Sequence, residues 1–130
     1  FQSNPERIFA IVLENDNAVL KWMRPAPKQF NIYYGPGGCS RYEPDFIVET
    51  ATRIFMVETK VKKELSASDV IEKAKAAQAY CQAASEWNAD HGGKPWIYAL
   101  LSHDEVRVNS SFDFLMKNRV PEEQLALSGI

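Results

Sequence analysis

The segment Ile54–Val61 constrains the fold more than any other part of this sequence. Side chains alternate between the two faces of a β-strand, so Met56, Glu58 and Lys60 share one face. Apolar residues begin the segment on both faces, which predicts a central strand buried on both sides. An acid and a base in such a strand are costly to bury unless another group compensates their charges. Glu58 and Lys60 are therefore candidate functional residues.

Helical and strand patterns follow one another along the chain in the order α-β-β-β-α-β. Ser66 or Ser68 is expected to cap the long helix, and Gly92 to end it. Three sequential strands predict an antiparallel meander, and the strand after the long helix can return as a parallel neighbour. The predicted fold class is thus α/β, with a mixed central sheet flanked by helices. The expected segments are helices Pro5–Glu14, Asp69–Asp90 and Ser111–Lys117, strands Phe30–Tyr34, Tyr42–Glu49, Arg53–Val61, Pro95–Leu101 and Glu105–Val108, and a short apolar piece Ala18–Met23.

The length and composition fit one domain. A chain of 130 residues with 45 % hydrophobic residues can bury a substantial core. Residues 1–4 look like the remnant of an expression tag, so we expect the domain to span residues 5–119, followed by a tail or the start of a linker at residues 120–130. Neither a membrane-length apolar run nor a secretory signal is present in the sequence.

Two cysteines, Cys39 and Cys81, lie far apart and lack the spacing of metal ligands. We expect them to be reduced thiols in a cytoplasmic protein. The net charge of −2 is low for a free-standing, non-specific DNA-binding protein, which is more often basic. Any binding to nucleic acid would therefore need local positive charge, a metal ion or partner domains.

Asp45 belongs to the predicted strand that precedes the Glu58 strand. A tight hairpin between the two strands would place Thr50 opposite Arg53 and therefore Asp45 opposite Glu58. Two carboxylates at that spacing repel each other unless a divalent cation lies between them, and such oxygen ligands suit Mg²⁺. Lys60 could hold or help to deprotonate an attacking water, while the metal polarises a phosphoryl oxygen. These groups are the ones that phosphodiester hydrolysis requires.

Simpler interpretations of the same residues stay open. Glu58 and Lys60 could form a salt bridge on a solvated strand face, and Asp45 could be a turn or bulge residue. Lys62 and Lys63 could bind a phosphate backbone, or they could be solvated loop charges.

The residues around this pattern resemble a known family. Pro44-Asp45 and Glu58-Thr59-Lys60, separated by residues 46–57, resemble the PD-(D/E)XK nuclease superfamily, which has the restriction-endonuclease-like fold. The segments YEPDFIVE, IFMVETK and DVIEKAKAAQAYCQAAS more specifically resemble the C-terminal endonuclease domain of type III restriction enzyme Res subunits. The resemblance covers roughly Pro5 to Val108. It departs from the family pattern at Val61, where glycine commonly follows the lysine.

The resemblance implies a restriction-endonuclease-like sandwich and an endodeoxyribonuclease that depends on Mg²⁺, with Mn²⁺ as a substitute. It implies that Asp45, Glu58 and the Thr59 backbone carbonyl bind the metal. Lys60 would activate or position the attacking water. The supporting residues that it implies are Glu6 (or, as a second choice, Glu14) on the first helix, and Lys73, Lys75 and Gln78 on the long helix.

The resemblance also implies partners. These are DNA, a helicase or translocase region in the same full-length protein, and a modification (methyltransferase) subunit. The sequence has no glycine-rich P-loop motif, so ATP would act only through a motor domain outside this chain. The alternative is a non-catalytic DNA-binding or docking module that retains the nuclease fold, and hydrolysis of RNA or of a nucleotide stays open.

Overall fold

A mixed sheet of four strands forms the centre of the fold in the computed structural model, which describes residues 3–65 and 67–121. The strands in the described residues are β1 (Val19–Met23), β2 (Ile32–Tyr34), β3 (Ser40–Tyr42), β4 (Phe46–Thr50), β5 (Ile54–Lys60) and β6 (Trp96–Ser102). The helices are α1 (Asn4–Asn15), α2 (Ser68–His91) and α3 (Phe112–Lys117). The central sheet has the order β1-β4-β5-β6, in which β6 is parallel to β5 and the other pairs are antiparallel. The predicted α/β class with a mixed sheet flanked by helices is confirmed.

The hairpin between β4 and β5 sets the position of the candidate acids. The Thr50 N–H donates to the Arg53 carbonyl at 2.9 Å and closes the turn. From there the antiparallel ladder runs without a slip to the pair Phe46 and Val57, and its continuation by one residue places Asp45 opposite Glu58. The predicted register is confirmed.

The prediction of Tyr42–Glu49 as one strand is wrong. Residues 43–45 separate β3 from β4, and β3 pairs with β2 in a two-stranded hairpin outside the central sheet. Pro44 has no N–H to donate to a ladder, and the Glu43 carboxylate accepts the Lys28 N–H at 2.6 Å. The expected meander is therefore replaced by a sheet in which β1 pairs with β4 as the edge strand.

The short strand expected at Glu105–Val108 is also wrong. A 3-10 helix occupies His103–Glu105 instead. The Ser102 hydroxyl accepts the Asp104 N–H at 3.4 Å and caps this turn. Local bonds from side chain to backbone compete here with strand pairing.

The boundaries of the long helix agree with the sequence at one end only. Gly92 ends α2 in the left-handed conformation, with a φ of 75°, as predicted. The cap residue at the other end is Ala67, which provides no side-chain hydrogen bond, so the expected cap by Ser68 is wrong. Ser66 lies outside the described residues. By contrast, the Ser3 side chain caps α1.

Both faces of the sheet are covered. We call the side against which α1 and α3 pack the α1 face, and the side under α2 and the β2–β3 hairpin the α2 face. Phe55 and Val57 of β5 lie on the α1 face, whereas Met56 lies on the α2 face, as strand alternation predicts. The buried α1-face cluster contains Phe9, Ala10, Val12, Leu13, Phe46, Val48, Phe55, Val57, Ala99, Leu101, Val106, Phe112, Leu115 and Met116. The buried α2-face cluster contains Ile32, Tyr42, Ile47, Met56, Val70, Ala74, Ala77, Cys81, Tyr98 and Leu100.

Packing continues to the end of the described residues. The Val120 N–H donates to the Leu100 carbonyl at 2.9 Å, and its side chain packs against the α2-face cluster.

Most of the predicted tail, residues 122–130, lies outside the described residues, as do residues 1–2. Among the helices of the described residues, none combines the length and the apolar character that a membrane crossing needs. Cys39 is exposed and Cys81 is buried, and both are free thiols.

Candidate metal centre

Asp45 and Glu58 face each other at the open end of the β4–β5 ladder. Glu58 is 6 % exposed, and Asp45 is half-buried. The Asp45 carboxylate accepts the Thr59 backbone N–H at 3.1 Å, measured from nitrogen to Oδ2. This bond anchors the Asp45 side chain to β5 beside Glu58, so the backbone of the hairpin holds the two acids together.

The environment of Glu58 disfavours its negative charge. Burial is the main reason that the pKa of Glu58 is raised well above its usual value, and the adjacent Asp45 carboxyl raises it further by hydrogen bonding and by its charge. The nearby Lys60 ammonium and Tyr42 hydroxyl oppose this rise. A proton between the two carboxyl groups relieves their repulsion, and a divalent cation could replace that proton.

The Thr59 carbonyl lies on the same edge of β5 as these carboxylates. In an extended strand the N–H and C=O of one residue point toward the same neighbouring strand, and the Thr59 N–H points to Asp45. Continuing the β4–β5 register places Pro44 opposite Thr59. Because proline has no N–H, Pro44 cannot donate to the Thr59 carbonyl. That carbonyl can therefore serve as a third oxygen ligand.

Two lysines bring positive charge to the acids. Lys60 is the last residue of β5, on the same side of the strand as Glu58, and its charge lowers the pKa of Glu58. Lys73 on α2 pairs with Asp69, with its Nζ 3.4 Å from Asp69 Oδ2 and 5.6 Å from the centroid of the Tyr34 ring, and its charge interacts with that of Glu58. Burial lowers the pKa of Lys73, but the carboxylate charges of Asp69 and Glu58 and the nearby Tyr34 outweigh that effect and raise it.

The glutamates of the first helix have other partners. Both carboxylate oxygens of Glu6 are engaged: Oε1 lies 2.7 Å from Arg24 Nη2, and Oε2 accepts the Ser3 hydroxyl at 3.0 Å. The second choice, Glu14, accepts the Trp22 indole N–H at 2.7 Å. The structure thus brings together Asp45 and Glu58 but gives Glu6 an ion pair of its own.

The remaining predicted residues surround the acids at greater distance or on other surfaces. Lys75 follows Lys73 by two positions on α2, so the two side chains point about 200° apart and cannot share one flank. Within the described residues, no hydrogen bond or ion pair joins Lys75 or Gln78 to the acids. The lysines proposed for DNA binding are exposed in the 3-10 helix Lys62–Glu64, directly after β5.

Sequence reasoning missed two tyrosines at the site. Tyr42 ends β3 and Tyr98 lies in β6, and both are buried on the α2 face with phenol groups near the carboxyls of Asp45 and Glu58. The only sequence signal for Tyr42 is its position three residues before Asp45, and Tyr98 comes from a strand far along the chain. Their convergence is a result of tertiary packing.

The donor set is small but suited to a hard cation. In residues 3–65 and 67–121, no group of three or more His, Cys, Asp or Glu side chains could hold a metal ion. The oxygens available are those of two carboxylates and one backbone carbonyl, close to the buried Tyr42 hydroxyl. Mg²⁺ typically binds one or two carboxylates and keeps several waters, so this set fits Mg²⁺ or Mn²⁺.

Comparison of the chain with known protein families, with curated proteins and with solved structures finds no match.

Proposed function

We propose that this chain is a restriction-endonuclease-like nuclease domain that hydrolyses DNA phosphodiester bonds with a divalent cation, Mg²⁺ or Mn²⁺. The observation that carries the proposal is the pair Asp45 and Glu58, which the hairpin holds face to face with Glu58 buried. A pair of acids in that position is costly without a positive charge between them. A bound cation would remove that cost.

Each residue of the site has a role in the proposal. Asp45, Glu58 and the Thr59 carbonyl would hold the metal. A bound divalent cation supplies Lewis-acid polarisation of a phosphoryl oxygen and a water of lowered pKa. Lys60, whose ammonium lies beside Glu58, would donate hydrogen bonds to the attacking water or to a phosphate oxygen. Lys73 would add positive charge from α2.

The wider setting follows from the resemblance in sequence. We propose that the domain acts on DNA that a translocase region of the full-length protein delivers, together with a modification subunit. Lys62 and Lys63 are exposed just beyond β5, where they could bind the phosphate backbone. Such contacts position a nuclease on DNA without reading its sequence.

Cleavage of supercoiled plasmid DNA tests this proposal. The chain should nick or linearise plasmid in Mn²⁺ or Mg²⁺, and EDTA should stop the reaction. Asp45→Asn and Glu58→Gln should abolish cleavage, and Lys60→Ala should reduce it on the order of 10²-fold or more, the usual contribution of acid–base assistance. Asp113→Asn and Lys117→Met, which alter an exposed ion pair on α3, are matched controls and should cut like the unchanged chain. Full cleavage by the Lys60→Ala protein would contradict the proposed roles.

A second candidate is a DNA-binding or docking module of the same fold that does not catalyse. The small number of carboxylates favours it, since the described residues contain no cluster of three or more metal-binding side chains. Calorimetric titration with Mn²⁺ separates the two candidates. A nuclease site should bind Mn²⁺ and lose that binding in Asp45→Asn, whereas a docking module should show no heat from this site.

A further inference from the structure

The β2–β3 hairpin presents an arginine and a tyrosine to solvent close to the candidate metal centre. Tyr33 stands opposite Arg41 in this hairpin. Strand alternation places these two side chains on the face away from the buried pair Ile32 and Tyr42. Both are exposed, Tyr33 at 49 %. The outer face of the hairpin therefore carries a large aromatic ring and a positive charge that the core does not use.

The two side chains hold each other in place. Arg41 Nη2 donates to the Tyr33 hydroxyl at 3.0 Å, and the guanidinium carbon lies 5.5 Å from the centroid of the Tyr33 ring. Among the described residues no carboxylate pairs with Arg41. The nearest acid along the chain, Glu43, accepts the Lys28 N–H at 2.6 Å. The guanidinium thus keeps its charge and most of its five N–H donors for a ligand.

The free donors of this pair suit a phosphate group. A guanidinium can donate two parallel hydrogen bonds to two phosphate oxygens. The Tyr33 hydroxyl accepts from Arg41 and keeps its own hydrogen, which it can donate to the same phosphate. Because Tyr33 already orients the guanidinium, less side-chain freedom is lost when a phosphate binds. An anionic backbone is therefore the partner that this surface fits best.

The hairpin is joined to the acids by a short piece of chain. Arg41 and Asp45 are four positions apart, so their Cα atoms are separated by at most about 14 Å. A DNA duplex advances about 3.4 Å per base pair, so this distance corresponds to about four base pairs. Lys73, which lies beside the Tyr34 ring of the hairpin, also interacts with the charge of Glu58. DNA bound at the acids would therefore pass within reach of the hairpin.

We infer that Tyr33 and Arg41 form a phosphate-binding pair that holds the DNA backbone beside the cleavage site. Arg41 contacts phosphate oxygens through its guanidinium, and Tyr33 orients the guanidinium and adds its hydroxyl. The pair supplies local positive charge to a domain whose net charge is −2. A contact of this kind positions the duplex without reading its sequence. This inference rests on the proposed function, of which it needs the binding of DNA and not the cleavage.

DNA binding at increasing salt concentration tests this inference. Fluorescence anisotropy of a fluorescein-labelled DNA duplex measures the affinity of the full chain, with EDTA present so that no DNA is cut. Arg41→Gln should weaken binding on the order of tenfold, by the same factor for two duplexes of unrelated sequence. It should also reduce the steepness of log affinity against log salt by about 1, because one phosphate contact is lost.

Arg53→Gln is the matched control for the loss of one charge. Arg53 is exposed in the turn before β5, at the opposite end of that strand from Glu58, and has no ion pair among the described residues. Its substitution should change the affinity by less than about twofold, because no phosphate contact is proposed there.

Two further variants separate the roles of the pair. Tyr33→Phe removes a hydroxyl but no charge, so it should weaken binding about 3–10-fold and leave the salt dependence unchanged. Arg41→Lys should keep the salt dependence and lose part of the affinity, because an ammonium cannot donate the paired hydrogen bonds of a guanidinium. Tyr80→Phe is the control for the hydroxyl: the Tyr80 ring packs 5.7 Å from Phe30 and 6.1 Å from Trp96, and the affinity should stay within about twofold.

Urea unfolding separates DNA binding from a structural role. Arg41→Gln and Tyr33→Phe should unfold at the same midpoint as the unchanged chain, since both side chains are exposed. A lower midpoint in both variants would make the pair structural and overturn the inference. Unchanged DNA affinity and salt dependence in Arg41→Gln would also overturn it, and so would a lack of DNA binding by the unchanged chain at low salt.

Plasmid cleavage in Mn²⁺ keeps the two proposals apart. If the chain cuts plasmid but Arg41→Gln binds DNA like the unchanged chain, the nuclease stands and this inference fails. If the chain binds DNA through this pair but cuts none in Mn²⁺ or Mg²⁺, this inference stands and the catalytic proposal fails.

Discussion

The α1 face and the α2 face of the central sheet each contain a buried glutamate. The two carboxyl groups differ in the groups that surround them. Glu6, on α1, is 7 % exposed and has partners for both oxygens in Arg24 and Ser3. Glu58, under α2, is similarly buried, but its neighbours include a second carboxyl group, Asp45. The first glutamate contributes to the structure. The second has the strongly perturbed pKa that is common at binding sites.

The two faces are also packed by different elements. The α1-face cluster joins α1, α3 and the sheet through rings such as Phe9, Phe46 and Phe112. The α2-face cluster contains the small residues Ala74 and Ala77, which let α2 pack closely against the sheet beside the acids. We therefore expect substitutions in the α1-face cluster to change stability without changing the candidate site.

The largest expected effect on the free energy of unfolding comes from a substitution on the α1 face. Phe9 is fully buried, with its ring 4.9 Å from that of Phe46 and 6.3 Å from that of Phe112. Phe9→Ala should lower the free energy of unfolding by about 3–5 kcal/mol, because it leaves a cavity in the core. Urea denaturation measures this, with the exposed Phe114 as a control: Phe114→Ala should change stability by less than about 0.5 kcal/mol. If Phe9→Ala lowered the free energy of unfolding by a similarly small amount, the α1-face cluster would contribute little to stability.

The next effect is a pH-dependent gain in the free energy of unfolding when Glu58, on the α2 face, is replaced by glutamine. Because burial and Asp45 raise the pKa of Glu58 in the folded state, the cation-free protein loses stability as pH rises from the ordinary glutamate pKa, about 4.3, through the raised folded value. Glu58→Gln stays neutral and does not suffer this loss. In EDTA it should therefore become increasingly more stable than the unchanged chain as the pH rises toward neutral. Urea denaturation at a series of pH values checks the trend, and a difference that does not change with pH would contradict it.

Replacing Glu6 by glutamine should destabilise the protein, whereas the same change at Glu58 should stabilise it. Glu6→Gln weakens the ion pair with Arg24, so the free energy of unfolding should fall by about 1–2 kcal/mol. The affinity for Mn²⁺ should stay within about twofold, whereas Asp45→Asn should lower it at least tenfold. Paired unfolding and calorimetric measurements on both variants test this. A large loss of Mn²⁺ affinity in Glu6→Gln would bring Glu6 into the metal centre.

The smallest expected effect concerns Thr59. Its side chain is 4 % exposed, and its Oγ1 has no hydrogen-bond partner among the described residues. Thr59→Val keeps the shape and the backbone carbonyl, so the free energy of unfolding should rise by about 1 kcal/mol. Mn²⁺ binding should persist, because only the carbonyl of Thr59 is proposed as a ligand. Loss of Mn²⁺ binding in this variant would show that the hydroxyl has a role at the site.

Much of the architecture followed from local patterns. The alternation in β5 identified a strand buried on both sides, and the short turn after Thr50 was enough to predict that Asp45 stands opposite Glu58. These predictions succeeded because strand alternation and hairpin register depend on neighbouring residues. The prediction of a strand at Glu105–Val108 failed because the Ser102 hydroxyl and a local turn supply hydrogen bonds to the backbone there.

The sequence by itself determined the pair of opposed acids, the lysine beside them and the long helix that covers them, because each depends on spacing within one or two adjacent elements. Only the tertiary structure decided that Glu6 pairs with Arg24, that the charge of Lys73 interacts with Glu58, and that the phenols of Tyr42 and Tyr98 lie near Glu58. Those contacts join residues that lie far apart in the chain or on separate elements. Their positions depend on how helices and the hairpin pack on the sheet, which no local pattern specifies.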